Sequence, residues 1–307
     1  PKPSPCFQFC DMWCSHKDFH SIVSTNLPSA NSQDIMRLAQ LYFSYLRRRL
    51  GKLHRSHFAD LKEQQESARL ALINAQHNLQ GSPENQAFQR LEQDARNNYI
   101  SILTSSLALI RQQSKLDWIK YRDDYTRFFF AKAKQRKLAT YIYTLQDTSG
   151  NWVEGFEQVG DVMLSFYQNL LGQNAPPRYP IDPYIITQGN CLSMMQQISL
   201  CGPFSDRDIK DAIFSIPNHK SPGPDGFSSG FFKSTWNTTG NMVCAIVRNF
   251  FTTGHMPLFL SDTKLILLPK VAHPKSASDF RPISFCNVLY NVISKLLSAC
   301  LKQVLPS

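Results

Sequence analysis

The sequence has no run of about 18 consecutive apolar residues, the least that a bilayer-crossing helix needs, so no segment of it reads as a membrane span. It also lacks a signal peptide: the opening Pro1-Lys2-Pro3-Ser4-Pro5-Cys6 has no charged-then-apolar shape. The first residue is not Met, which reads as a fragment. No internal repeat is visible, and no Ser/His/Asp or Cys/His triad is framed. Carboxylates are scarce towards the end: residues 216–307 hold only Asp225, Asp262 and Asp279, set far apart. A catalytic metal pair needs clustered carboxylates, so none is expected there. The eight cysteines come without a secretory signal and in a large chain, which favours reduced thiols over disulfides. Cys6, Cys10, Cys14, His16 and His20 follow the spacing C-x3-C-x3-C-x-H-x3-H. That pattern has neither a C-x2-C knuckle nor a distant second ligand pair, so no metal is predicted.

What is present is basic charge. The 307 residues carry 33 Lys and Arg against 23 Asp and Glu, a net +10. A field of that sign favours polyanions. Residues 33–138 hold 19 basic and 10 acidic side chains, 139–215 hold 3 and 8, and 216–307 hold 9 and 3, so two basic regions flank an acidic one. The basic density peaks at 111–137, where Trp118, Tyr121, Tyr125 and Phe128 to Phe130 are interleaved. Cations meet phosphates and rings stack on bases in single-stranded nucleic acid, which makes Lys132, Lys134, Arg136 and Lys137 candidate RNA-binding residues. A solvated helix face over an aromatic stripe would look the same.

The apolar pattern predicts a mostly α chain with a small β component (α+β). Residues 1–32 read as a strand end at Cys6 to Phe9 followed by a linker. From Asp34, apolar residues recur at helical steps through Ile35, Leu38, Leu41, Tyr45 and Leu50, with Gly51 as the weak point. Gly81-Ser82-Pro83 stops this run, and a second helix restarts near Glu84, so 33–138 reads as a long antiparallel helical hairpin plus a third helix at 115–137. Residues 139–204 read as a small hairpin (141–145 with 152–153), a helix at 157–171 and a Pro-rich loop at 173–190. In 205–307, Ser205 and Asp208 form a capping box for a helix at 206–216. Helices at 237–253 and 287–304 follow, with short strands at 265–268 and 283–285.

Three segments near the end carry chemistry. Ser221-Pro222-Gly223-Pro224-Asp225-Gly226-Phe227 is stiff, because proline fixes φ and glycine permits positive φ. Such a loop lets a nucleic-acid strand approach the backbone closely. Lys270 closes one apolar strand and Arg281 opens the next. An antiparallel pairing would bring both to one end, where they could converge on a triphosphate.

In order and spacing, Ser221 to Phe227, Leu267-Leu268-Pro269-Lys270, and Phe280-Arg281-Pro282-Ile283-Ser284 with Cys286-Asn287 and Tyr290 to Leu297 resemble the fingers of non-LTR (LINE-type) retroelement reverse transcriptases, especially those of plants. Trp118-Ile119-Lys120 through Phe129 is similar to the linker of these elements, and Phe7 to Trp13 to the last strand of the preceding endonuclease. The resemblance implies four stretches: the endonuclease end and linker (1–32), a basic helical N-terminal extension (33–138), an intervening hairpin, helix and loop (139–204), and truncated right-hand polymerase fingers (205–307). It implies RNA-directed DNA polymerisation by the intact enzyme, with an RNA template, an RNA/DNA hybrid and deoxynucleotide triphosphates as partners, and Mg²⁺ held in a palm beyond Ser307. Residues 221–227 would contact template, and Lys270 and Arg281 the nucleotide phosphates. No catalytic residue and no cofactor are expected in this stretch. A non-catalytic RNA-binding or scaffold module, or an inert remnant, is the alternative. The location expected is intracellular, with the nucleus as a candidate compartment. Tyr121-Arg122-Asp123-Asp124 matches the polymerase Y-x-D-D signature but precedes the fingers inside a helical pattern, so it is not taken as a metal site.

Overall fold

The computed structural model describes residues 7–114, 131, 135, 141–172, 180, 182–189, 191–218 and 220–304. As the apolar pattern predicts, it is mostly helical with two small antiparallel sheets. No helix among the described residues is long and apolar enough to cross a membrane.

A 3₁₀ turn at Asp11–Ser15 leads into α1 (Phe19–Ser24) and α2 (Ile35–His57). Residues 7–10 form no strand; Phe9 donates one backbone bond to the Gly226 carbonyl at 2.8 Å, and its ring is fully buried. The expected strand end is thus an extended segment whose rings go into the core instead of a ladder. Asp34 accepts the Arg37 amide and caps α2. The helix runs straight through Gly51 and ends at His57, because Phe58 and Leu61 both turn into the core. The buried stripe of α2 is Ile35, Met36, Ala39, Tyr42, Phe43, Leu46, Leu50 and Leu53. Of the stripe expected there, Ile35 and Leu50 lie on this face, whereas Leu38 and Leu41 lie off it and are exposed.

The antiparallel hairpin is α3 (Leu61–Gly81) with α4 (Gln86–Ser114). Buried Ala68 and Ala75 let the helices approach closely. Between them Glu92 accepts from Arg96 and Gln76, and the Arg96 bond holds its carboxyl below the usual range. The third helix expected at 115–137 lies almost wholly outside the described residues, as does the Y-x-D-D tetrapeptide.

Strands β1 (Thr144–Gln146) and β2 (Trp152–Glu154) pair around a turn in which Asp147 accepts the Ser149 and Asn151 amides. Helix α5 (Phe156–Gly172) follows. Within the stretch read as loop, Pro183 starts the short α6 (Pro183–Thr187), with Asp182 accepting the Tyr184 amide. Next come α7 (Met194–Cys201) and α8 (Asp206–Phe214), the latter with the expected Ser205–Asp208 capping box. The order then runs α9 (Ser229–Ser234), α10 (Trp236–Thr253), α11 (Leu258–Ser261), β3 (Thr263–Pro269), a 3₁₀ turn at Ala277–Asp279, β4 (Phe280–Cys286) and α12 (Val288–Lys302). Gly254 ends α10 in the left-handed region at φ 67°, which a glycine adopts without a Cβ penalty.

Two cores organise these elements. The larger joins Phe9, Trp13 and Phe19 with the α2 stripe, Ile209, Ile213, Phe227, Phe231, Phe232, α10 and α12. Residues from the first sixty and the last hundred therefore share one interior, across the boundaries at 32 and 204 read on the sequence. The smaller joins Leu145, Val159, Met163, Tyr167, Ala277 and Phe280. It clamps β3–β4 to α5, with the Tyr167 hydroxyl donating to the Phe280 carbonyl at 3.2 Å.

Candidate nucleic-acid interface

The loop 221–227 is built as a turn on a buried post. Gly226 N–H donates to the Gly223 carbonyl at 3.1 Å, closing a four-residue turn with Pro224 and Asp225 at its centre. Gly226 has φ 78°, and a Cβ there would overlap the Phe7 carbonyl. A Cβ at Gly223 would overlap Asn287. Asn287 is fully buried at the N-cap of α12. Its side-chain oxygen accepts the Asp225 amide at 3.1 Å, and its nitrogen donates to the Phe259 and Leu260 carbonyls at 2.8 and 3.3 Å. One amide thus ties the loop to the α11 turn. From the other side, Arg47 of α2 donates to the Asp225 carbonyl oxygen at 3.3 Å. The Asp225 carboxylate accepts the Phe227 amide at 3.0 Å. Burial pushes that carboxyl up to about 7, against the opposing pull of the Phe227 amide and Arg47.

Three clefts meet at this loop. One of about 240 Å³ is lined by Arg111, Gln112, Lys220, Ser221 and Asp11. The end of α4 reaches it because Gln112 bonds both the Phe9 carbonyl and the Asp11 amide. A second, about 460 Å³, lies between Ser221–Pro224 and Lys264, Ile266 and Phe285 of the β3–β4 ladder. The third, about 520 Å³, adds Lys220, Lys295 and Asn291. The loop therefore stands between clefts, each with at least one cation. A roomier cavity of about 720 Å³ between α7, α8 and α12 lies away from the loop.

The ladder register pairs Lys264 with Phe285, Ile266 with Ile283 and Leu268 with Arg281. Side chains alternate across a strand, so Lys264, Arg281 and, two residues past Leu268, Lys270 share one face. The opposite face carries Leu267 and Phe280 into the small core. Arg281 lies at the end of that face nearest Lys270, the residue that follows β3. Six residues of strand, roughly 20 Å, separate Lys270 from Lys264 beside the loop. The Lys270 ammonium donates to the Ser278 carbonyl at 2.6 Å. It also faces Asp279, which the Ser276 and Lys275 amides, with Lys270, hold below its ordinary range. Arg281 is exposed. The candidate residues Lys132, Lys134, Arg136 and Lys137 lie outside the described residues.

The sequence singles out neither Lys220 nor Lys264; Asn287 enters only within the Cys286-Asn287 segment, with no role, and Arg111 only as the first residue of the basic stretch 111–137. Lys264 had a signal of its own, since it alternates in phase with Leu268 along the strand. The three late carboxylates offer no Mg²⁺ cluster: Asp225 lies under the turn, Asp279 caps its 3₁₀ turn, and Asp262 ends α11.

The class this arrangement defines is a helical, basic scaffold presenting a rigid Gly-Pro loop beside a cationic hairpin. No protein-family model matches the chain. It is similar to proteins of transposable elements. Over 197 residues, 63% of its length, it is 29% identical to the transposon TX1 uncharacterized 149 kDa protein of Xenopus laevis. Over 101 residues, 33% of its length, it is 29% identical to the retrovirus-related Pol polyprotein from type-1 retrotransposable element R2 of Bradysia coprophila. It spans 15% and 11% of these relatives' lengths. Both findings support a retroelement origin.

Proposed function

We propose that the chain is the template-gripping part of a non-LTR retroelement reverse transcriptase. The observation that carries this reading is the clamped loop 221–227 beside Lys264, on the hairpin face that also carries Arg281, in a chain similar to retroelement proteins. The loop's rigidity costs nothing at the moment of binding, since its order is prepaid by Asn287 and Phe7. Template would run over it, with phosphates against the neighbouring cations. Lys270 and Arg281 would meet the incoming nucleotide's phosphates. Mg²⁺ chemistry belongs to carboxylates that residues 216–307 do not cluster, so no catalytic step is assigned to them.

Two measurements test this. Primer extension on an RNA template with Mg²⁺ should give no product with this chain alone; robust extension lost on Asp123→Asn and Asp124→Asn would overturn that. In a protein extended to include a palm, Lys270→Ala or Arg281→Ala should slow nucleotide addition about 30- to 1,000-fold, the worth of a preorganised donor, and leave RNA binding nearly intact. The scaffold alternative draws on the same lack of clustered carboxylates; it predicts that adding a palm restores no extension.

A further inference from the structure

The Cys/His pattern at 6–20 lacks a distant ligand, but the fold supplies one. His57, the last residue of α2, lies against His16, with ring centroids 4.5 Å apart. Asp18 completes the group: one donor atom from each of His16, Asp18 and His57 lies within 4.8 Å of the other two. We propose that these three side chains form a Zn²⁺ site.

The donor set is two imidazoles and a carboxylate, which with one water fills the four positions zinc prefers. Mixed nitrogen and oxygen donors of this kind suit zinc better than the hard, all-oxygen cations. The two described thiols of the same segment are turned elsewhere: Cys10 donates to the Gln8 carbonyl, and Cys14 to the Ser234 hydroxyl. Ligand bonds of about 2.0–2.2 Å bring donors closer together than they stand here. Asp18 and His57 are both exposed, so their side chains can rotate the remaining distance. His16 is the anchored member, packed against Phe58, with its Nδ1 accepting the Asp18 amide at 3.2 Å and lying 3.9 Å from the Asp18 carboxylate. A bound ion would pin the turn at 16–18 to the end of α2, one residue before the chain swings off into the α3–α4 hairpin. It would fix the root of that arm, and it does not depend on the polymerase reading.

The experiment is Zn²⁺ titration of the full chain against a chromophoric chelator, with the exposed Cys191 and Cys201 replaced by serine throughout. Far-ultraviolet dichroism and metal-free unfolding temperature verify that each variant folds, as expected for substitutions at exposed Asp18 and His57. One equivalent should bind. His57→Ala and Asp18→Ala should each weaken binding on the order of 10- to 100-fold or more, since even groups that merely orient ligands reach that range. Replacing Cys10 and Cys14 together by serine should leave affinity unchanged. No uptake, parental affinity in either ligand variant, or loss only in the cysteine variant would each overturn the site.

Discussion

The loop at 221–227 and the hairpin at 263–286 border the same cleft, yet they rest on interiors of very different size. The loop stands on the larger core, where Phe7 and Phe9 from one end of the chain meet Phe227 and Phe231 from the other. Arg47, Asn287 and the Phe9 amide approach it from three separate elements. The hairpin rests on a six-residue core shared with α5 and β1, and its cationic face is open. The loop's backbone is thus held from several sides, whereas the hairpin's cationic face is backed by few contacts. Stability differs across a fold in this way when buried contacts are unevenly distributed.

The contrast can be broken by substitution. Phe231→Ala should cost about 3–5 kcal/mol in global unfolding, because it opens a cavity among Phe9, Phe227 and Phe232. Chemical denaturation reads it, and a loss under 1 kcal/mol would show that the large core does not carry the loop. Asn287→Ala should cost on the order of 3 kcal/mol, since it strands the Asp225 amide and two carbonyls. Hydrogen exchange should rise at 223–227 before it rises in α5.

A pH effect on the order of 4 kcal/mol should come from Asp225. Its folded value of about 7 stands above the ordinary 3.8. Its contribution is therefore fully present below the unfolded value and is lost as pH rises through about 7. Unfolding free energy measured from pH 4 to 8 should fall across that window, and Asp225→Asn should flatten the fall. The smallest effect belongs to the hairpin. Tyr167→Phe removes one bond to the Phe280 carbonyl and should cost about 1 kcal/mol. It should raise exchange in β4 while sparing the loop; equal loss at both would mean the two regions unfold as one.

Much of this was legible beforehand because the signals are local. The α8 capping box, the stop at Gly254 and the antiparallel β3–β4 pairing each follow from a few adjacent residues. The hairpin helices were legible too, but not the break at 58–60, since Phe58 leaves the α2 axis for a core that only the whole fold assembles. The buried face of α2 was partly misread because Leu38 and Leu41 keep helical spacing as well as Tyr42 and Leu46 do. The 183–187 helix was hidden by its proline count, although Pro183 occupies a position where its missing N–H costs nothing. At the interface, the loop and the Lys270–Arg281 pair stood out as motifs. Asn287, Arg111 and Lys220 did not, because their roles arise from contacts between residues distant in sequence.

On the proposed reading, single-stranded RNA lies across the loop and against Lys220 and Lys264 in the clefts beside it. The most direct test is the salt dependence of RNA affinity for the whole chain, alongside a Lys220→Gln/Lys264→Gln double variant. If about five phosphates are neutralised, the log–log slope should be roughly −3.5, and the double variant should lower its magnitude by about 1.4, near 0.7 per phosphate. Alanine at Lys132, Lys134, Arg136 and Lys137 should flatten it further. A double variant with parental affinity and parental slope would contradict the account and place any RNA contact elsewhere on the chain.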